Sequence, residues 1–251
     1  MKLVILMIQF FTKIPINTHM EVHEEDFANG VVYLPIVGLL IGIINALIYI
    51  VSSMLLPVPI VVVIVTMFNV YITGAFHVDG LADTCDGIFF GRNKERILEI
   101  MKDSRIGTHG TGAIFFDFAL RIVCLQAISE AHIVQAIIVT PVISRIMLTI
   151  LMGFSTYARA DKGLGSLFIG NISINQILMT FMVGGSMTIL IMGYLSGILL
   201  VALNIVLIFL YKQKVVAKID GMTGDTIGAG NEICEVAVLL IIVIMEKLVL
   251  L

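Results

Sequence analysis

The 251-residue sequence contains no tryptophan, only three cysteines and five prolines, and only 13% charged residues. A soluble domain typically carries about 25% charge, so the shortage excludes one. With 59% hydrophobic residues and a mean hydropathy of +1.08, the composition is that of an integral membrane protein. The cysteines, Cys85, Cys124 and Cys234, lie far apart, which excludes a disulfide framework and a Cys-x-x-Cys metal site. There is no basic arm, aromatic stacking platform or zinc-finger spacing, and nucleic acid is therefore excluded as a partner. No internal repeat or low-complexity tract divides the chain, so residues 1–251 read as one membrane domain. Behind Lys2, the apolar run Leu3 to Phe11 is too short to span and lacks a small-residue cleavage site. It predicts a helix that lies on the membrane surface or re-enters it.

What is present is a succession of uncharged runs. About 20 apolar residues cross a bilayer. The pattern predicts an all-α bundle of about seven transmembrane helices, within a range of six to eight. The spans fall near 31–51, 52–76, 111–128, 133–154, 174–192, 194–211 and 234–251, with a turn at Leu56-Pro57-Val58-Pro59. An amphipathic segment from Lys94 to Lys102 places Ile97, Ile100 and Met101 on one side and reads as an interfacial helix. The segment before the first span and the three polar connections hold 2, 5, 2 and 3 Lys or Arg, 12 of the 15 in the chain. The positive-inside rule places all four in the cytoplasm, with the N-terminus inside, in the cell membrane.

The polar stretch Asp79-Gly-Leu-Ala-Asp83-Thr-Cys-Asp86-Gly87 follows the second of these runs. In a helix, Asp79, Asp83 and Asp86 share an arc of roughly 60°. Two carboxylates about 6 Å apart repel by roughly 2 to 3 kcal/mol at an effective dielectric near 20. A divalent cation relieves that repulsion, and Mg²⁺ is typically held by one or two carboxylates while phosphates and water complete its shell. The competing reading is a pair of Asp-Gly turns with solvated acids. Three acids and two glycines at a membrane edge favour the metal.

Other candidate groups face the same compartment. Asp103-Ser-Arg105-Ile-Gly107-Thr-His109-Gly110 opens the third span, where free N–H groups and a helix dipole suit phosphate and Arg105 can clamp it. The glycine-rich run Asp220 to Glu232, read as a loop-like island, offers Thr223, Asp225, Asn231 and Glu232 as oxygen donors. Within the bilayer, Asp117 and Arg121 stand at i, i+4 and read as an ion pair. Arg145 requires a polar cavity or an acid from another helix, serving either structure or binding.

His77-Val-Asp-Gly-Leu-Ala-Asp-Thr-Cys-Asp-Gly87, Ile100-Met-Lys-Asp-Ser-Arg-Ile-Gly107, Tyr157-Ala-Arg159, Gly163-Leu-Gly165 and Thr223-Gly-Asp225 through Gly228-Ala and Glu232 together resemble the cobalamin synthase family, the adenosylcobinamide-GDP ribazoletransferases. The resemblance runs from about Phe11 to Glu235. It implies a Mg²⁺-dependent transfer of phosphocobinamide from adenosylcobinamide-GDP to α-ribazole or its 5′-phosphate, with release of GMP. It further implies Asp79, Asp83 and Asp86 as metal ligands, and Arg92, Lys102, Arg105, Gly107, Thr223 and Arg159 on the substrates, to which the residues themselves add Arg145 as a binding candidate. Asp103, Asp225 and Glu232 are the candidates for the proton acceptor. The implied partners are the two substrates and membrane lipid, with a second copy of the chain or other enzymes of the cobalamin pathway as further candidates. Cys85 and His109 depart from the family, where alanine and an aromatic are common. A cation transporter and another Mg²⁺-dependent transferase of a diphosphate substrate are the competing functions; a transporter's site belongs near the bilayer midplane.

Overall fold

Backbone groups in lipid have no water to bond, so long apolar runs close their own hydrogen bonds as helices. In the computed structural model, which describes residues 1–251, the order is α1 (Lys2–Phe11), α2 (Glu24–Gly30), α3 (Leu34–Ser53), α4 (Val58–Ile72), α5 (Phe76–Phe90), α6 (Lys94–Ile100), α7 (Thr108–Ala127), α8 (Ile133–Gly153), α9 (Ile174–Met192), α10 (Tyr194–Ile219) and α11 (Gly224–Lys247), with no sheet. Six stretches are long and apolar enough to cross a membrane: Glu24–Ser53, which joins α2 to α3, and α7 to α11 singly. Counting α4 and α5 as one bent span makes seven.

Helix α8 is the axis of the bundle. Every residue from Val139 to Met152 is buried, and α3, α9 and α11 pack around it. Gly38 and Gly42 of α3 lie against the α8 backbone at Pro141 and Ile138, as small residues do where membrane helices approach closely. Ile97 and Met101 are buried and Ile100 is half-buried, in keeping with the amphipathic pattern at α6.

Three boundaries differ from the sequence reading. The second apolar run does not continue into the acidic stretch: α4 stops at Ile72, and α5 leaves it at 89°. Gly74 and Ala75 between them have φ of +66° and +59°, left-handed conformations that no α-helix continues through. The sixth span extends to Ile219 and takes in Lys212, Lys214 and Lys218, since lysine is a good helix former and Lys218 in the last turn complements the dipole. The glycine-rich run is no loop. Helix α11 begins at Gly224, where Thr223 Oγ1 accepts the N–H of Thr226, and its Gly228 and Gly230 are buried. Packing against α5 and α8 outweighs a helix penalty of about 1 kcal/mol per glycine.

Candidate active site

Helix α5 carries the acids, and α11 brings them a partner. A Cβ on Gly80 would stand 2.7 Å from the carbonyl oxygen of Asp225, and one on Gly228 would stand 3.2 Å from the Cα of His77. Glycine at both positions lets the two backbones touch, which puts Asp225 within electrostatic reach of Asp79 and Asp83. The segment after α8 supplies the cation. Ala158 N–H donates to Met222 O, and Met222 N–H to Thr156 O, both at 2.9 Å. This tether sets Arg159 over the first turn of α11, where its guanidinium donates to Asp225 Oδ2 at 2.7 Å. Asp79, Tyr157, Arg159 and Asp225 line one cavity of about 250 Å³. Asp79 and Asp83 have no side-chain partner; Asp225 takes Arg159 and the Thr223 hydroxyl on Oδ2 alone.

Asp86 is engaged differently. Its Oδ2 accepts the N–H of Gly107 at 2.6 Å and its Oδ1 the N–H of Gly110 at 2.9 Å. A Cβ on either glycine would press within 2.5 Å of that carboxylate. The anion expected at the start of α7 is thus the protein's own, and the Gly107 N–H assigned to substrate phosphate is occupied. A negative side chain at a helix N-terminus also complements the dipole. Thr223 is likewise consumed by the fold: it is buried and caps α11.

Glu232 and Arg145 belong to a second cluster, buried among α5, α7, α8 and α11. Arg121 donates to Asp117 at 2.8 Å, to Glu232 at 2.7 Å and to Glu235. Arg145, fully buried, donates to Asn231 and stands 3.7 Å from Glu235. The expected Asp117–Arg121 pair is present, and Arg145 has its acid on another helix. Neither Glu232 nor Arg145 lines the cavity, which removes Glu232 from direct proton transfer and Arg145 from direct substrate contact as the chain stands.

The remaining basic residues lie outside the cavity. Lys102 pairs with Asp161 and shares a shallow surface groove with Arg159. Arg92 is exposed in the turn between α5 and α6. Arg105 is 87% exposed and holds Asp103 by a side-chain pair. Side-chain and then backbone hydrogen bonds from Arg105 lower the Asp103 carboxyl to about 2, which makes it a poor proton acceptor. His109 lies beside Phe89, their ring centroids 5.5 Å apart.

The structure also assembles what the sequence does not display, an aromatic wall. Phe10 lies 4.9 Å from Phe11, 5.2 Å from Phe168 and 6.0 Å from Phe76, and Phe11 stacks on His77 at 6.0 Å, all as centroid distances. All five line the same cavity. The rings come from α1, α5 and the segment before α9, so no local run in the sequence announces them.

Residues 3–243 match the family described as cobalamin-5-phosphate synthase. Named relatives called adenosylcobinamide-GDP ribazoletransferase occur in Clostridium novyi (strain NT), 49% identical with 96% of each chain covered, and in Listeria welshimeri, 38% identical over 99% of this chain and 100% of the relative. One from Thermoanaerobacter pseudethanolicus is 35% identical over 95% of this chain and 96% of its own. No solved structure matches the chain. The chain belongs to the cobalamin-5-phosphate synthase family.

Proposed function

We propose that this family member is an adenosylcobinamide-GDP ribazoletransferase, joining adenosylcobinamide-GDP to ribazole or its 5′-phosphate with release of GMP. It works as a Mg²⁺-dependent phosphotransferase whose site opens on the cytoplasmic face of the cell membrane. The observation that carries this reading is Asp79 of α5 and Asp225 of α11 lining one cavity with the guanidinium of Arg159, while Asp83 of α5 stands within electrostatic reach of both acids. A transporter's acids would need to stay free for the cation, whereas the buried Asp117, Glu232 and Glu235 of this chain are neutralised by Arg121 and Arg145.

The donor set fits Mg²⁺. Asp79 and Asp83 present hard oxygens with no partner of their own, and two carboxylates suffice when phosphate and water fill the other positions. Bound there, the ion supplies charge neutralisation to the diphosphate and the departing GMP. Asp86, the third ligand candidate, is engaged by the N–H groups of Gly107 and Gly110 at the start of α7.

The rest falls to the chain's own residues. Arg159, which lines the cavity beside Asp225, is the group that reaches diphosphate oxygens. An acceptor ribose oxygen forms a bond to the phosphorus nearer the cobinamide. The bond from that phosphorus to the bridging oxygen breaks, and GMP leaves with that oxygen. The hydroxyl proton passes to Asp225, the one candidate acceptor that lines the cavity; its Oδ1 is free while Arg159 and Thr223 hold Oδ2.

Purified enzyme in detergent should form the cobalamin product and GMP from the two substrates and Mg²⁺. It should stop when metal is chelated and resume when Mg²⁺ is returned. No product with Mg²⁺ present overturns the reaction; undiminished turnover after chelation overturns the metal.

A further inference from the structure

We propose that the aromatic wall of this cavity is the seat of the acceptor's base, with the two-ring system of ribazole lying against Phe11 and Phe168 while its ribose points to Asp79 and Asp225. This rests on the ribazoletransferase reading and adds which substrate the cavity takes and by which residues. Ribazole is a nucleoside of dimethylbenzimidazole: two fused rings, two methyl groups and one bare ring nitrogen.

Three observations carry the assignment. First, the wall is apolar and deep. Phe11 and Phe168 are 4% and 3% exposed, and their centroids lie 5.9 Å apart. Aromatic faces with offset or edge contacts suit a flat, methylated ring. Second, the cavity is small. At about 250 Å³ it lies below the ~300–1,000 Å³ of pockets that enclose a drug-sized ligand, so it admits a base and cannot enclose a corrin ring. Third, polarity is divided. The acids and Arg159 are on α5, α11 and the segment after α8, whereas the one polar side chain within the aromatic wall is His77, 2% exposed, with neither ring nitrogen hydrogen-bonded and its Nδ1 4.0 Å from Glu232.

That division separates the acceptor's base from the competing occupant, the guanine of the donor. Guanine carries donors and acceptors along its edge, and an apolar wall leaves them without partners, which sites discriminate against strongly. Dimethylbenzimidazole asks for one polar partner. A base seated on the Phe side also brings its ribose to the carboxylates, where the attacking hydroxyl is needed.

The test is steady-state kinetics of the full-length enzyme with each substrate varied in turn. Phe168→Leu and Phe11→Leu should each raise KM for ribazole at least tenfold while KM for adenosylcobinamide-GDP moves less than twofold. A shift that falls on the donor instead assigns the wall to guanine and overturns the proposal, as does a shift on neither. An arm without substitution guards against misfolded variants. Wild-type enzyme should use the dimethylbenzimidazole nucleoside at least tenfold better, in kcat/KM, than the matching adenine nucleoside, and equal use overturns the proposal. Binding of ribazole alone, followed through its own base fluorescence, separates the two readings. Ribazole bound by wild type and lost in Phe168→Leu, with no product from either, faults the assigned reaction and keeps the wall. Product from wild type with unchanged acceptor KM in both variants faults the wall and keeps the reaction.

Discussion

Two groups of carboxylates lie close together in this molecule and lead opposite lives. Around Arg121, the side chains of Asp117, Glu232 and Glu235 are 3 to 5% exposed; Arg121, Asn231 and Ser144 donate to their oxygens, and Arg145 stands 3.7 Å from Glu235. Around the cavity, Asp79 and Asp83 have no partner, and Asp225 shares one guanidinium. Both groups draw on α11, from positions seven to ten residues apart. A carboxylate in a membrane protein is structural when the fold brings its counter-charge, and available for chemistry when the counter-charge must arrive with a ligand.

That contrast can be broken in several ways, the largest first. Arg121→Met leaves three acids buried beside only Arg145 and should destabilise the fold by about 3–5 kcal/mol, the usual result of removing one partner of a buried ion pair. Thermal unfolding in detergent checks it; a melting temperature near that of wild type would mean the cluster is solvated or protonated and the contrast false. Asp83→Asn should do the reverse, lowering turnover about 100-fold or more, on the scale of a lost metal ligand or electrostatic group, with stability kept or slightly raised. Its side chain has no partner to lose, and its neighbours are other acids. Simultaneous loss of folding and activity would move Asp83 into the structural group.

Asp86→Asn sharpens the boundary between the two. Because Asp86 anchors Gly107 and Gly110, the variant should lose about 1 kcal/mol of stability, as when a helix cap is weakened, and roughly tenfold in kcat/KM, as when a supporting residue is lost. The Mg²⁺ concentration for half-maximal activity should stay put. If that concentration rises as far as in Asp83→Asn, Asp86 is a ligand and not a brace. The smallest effect is expected from Cys85→Ala: a half-exposed thiol with no partner in the fold should change activity less than about twofold, the range of ordinary surface substitutions.

Much of the fold could be read from the chain because lipid imposes one rule on every apolar run. The reading failed where local conformation or distant packing took over. Gly74 and Ala75 turn α5 out of line, although Ala75 has no sequence signature of a left-handed residue. The run from Gly224 to Glu232 looks like a loop by its glycines and is a helix because α5 and α8 cover it. In the site, i, i+4 spacing was enough to pair Asp117 with Arg121. It could not foresee that Asp86 would be taken by two backbone N–H groups 21 and 24 residues away, or that Arg105 would stay at the surface while Arg159 crossed to Asp225.

By itself the sequence determined the membrane class, the helical architecture, the family and the acidic motif on α5, because composition, periodicity and short-range spacing are local properties. Only the tertiary structure decided which acids are neutralised, which residue caps α7, and that five rings scattered between Phe10 and Phe168 form one wall. Those outcomes depend on which helices touch. Here that was settled by glycines that let backbones meet and by buried charges that had to find partners.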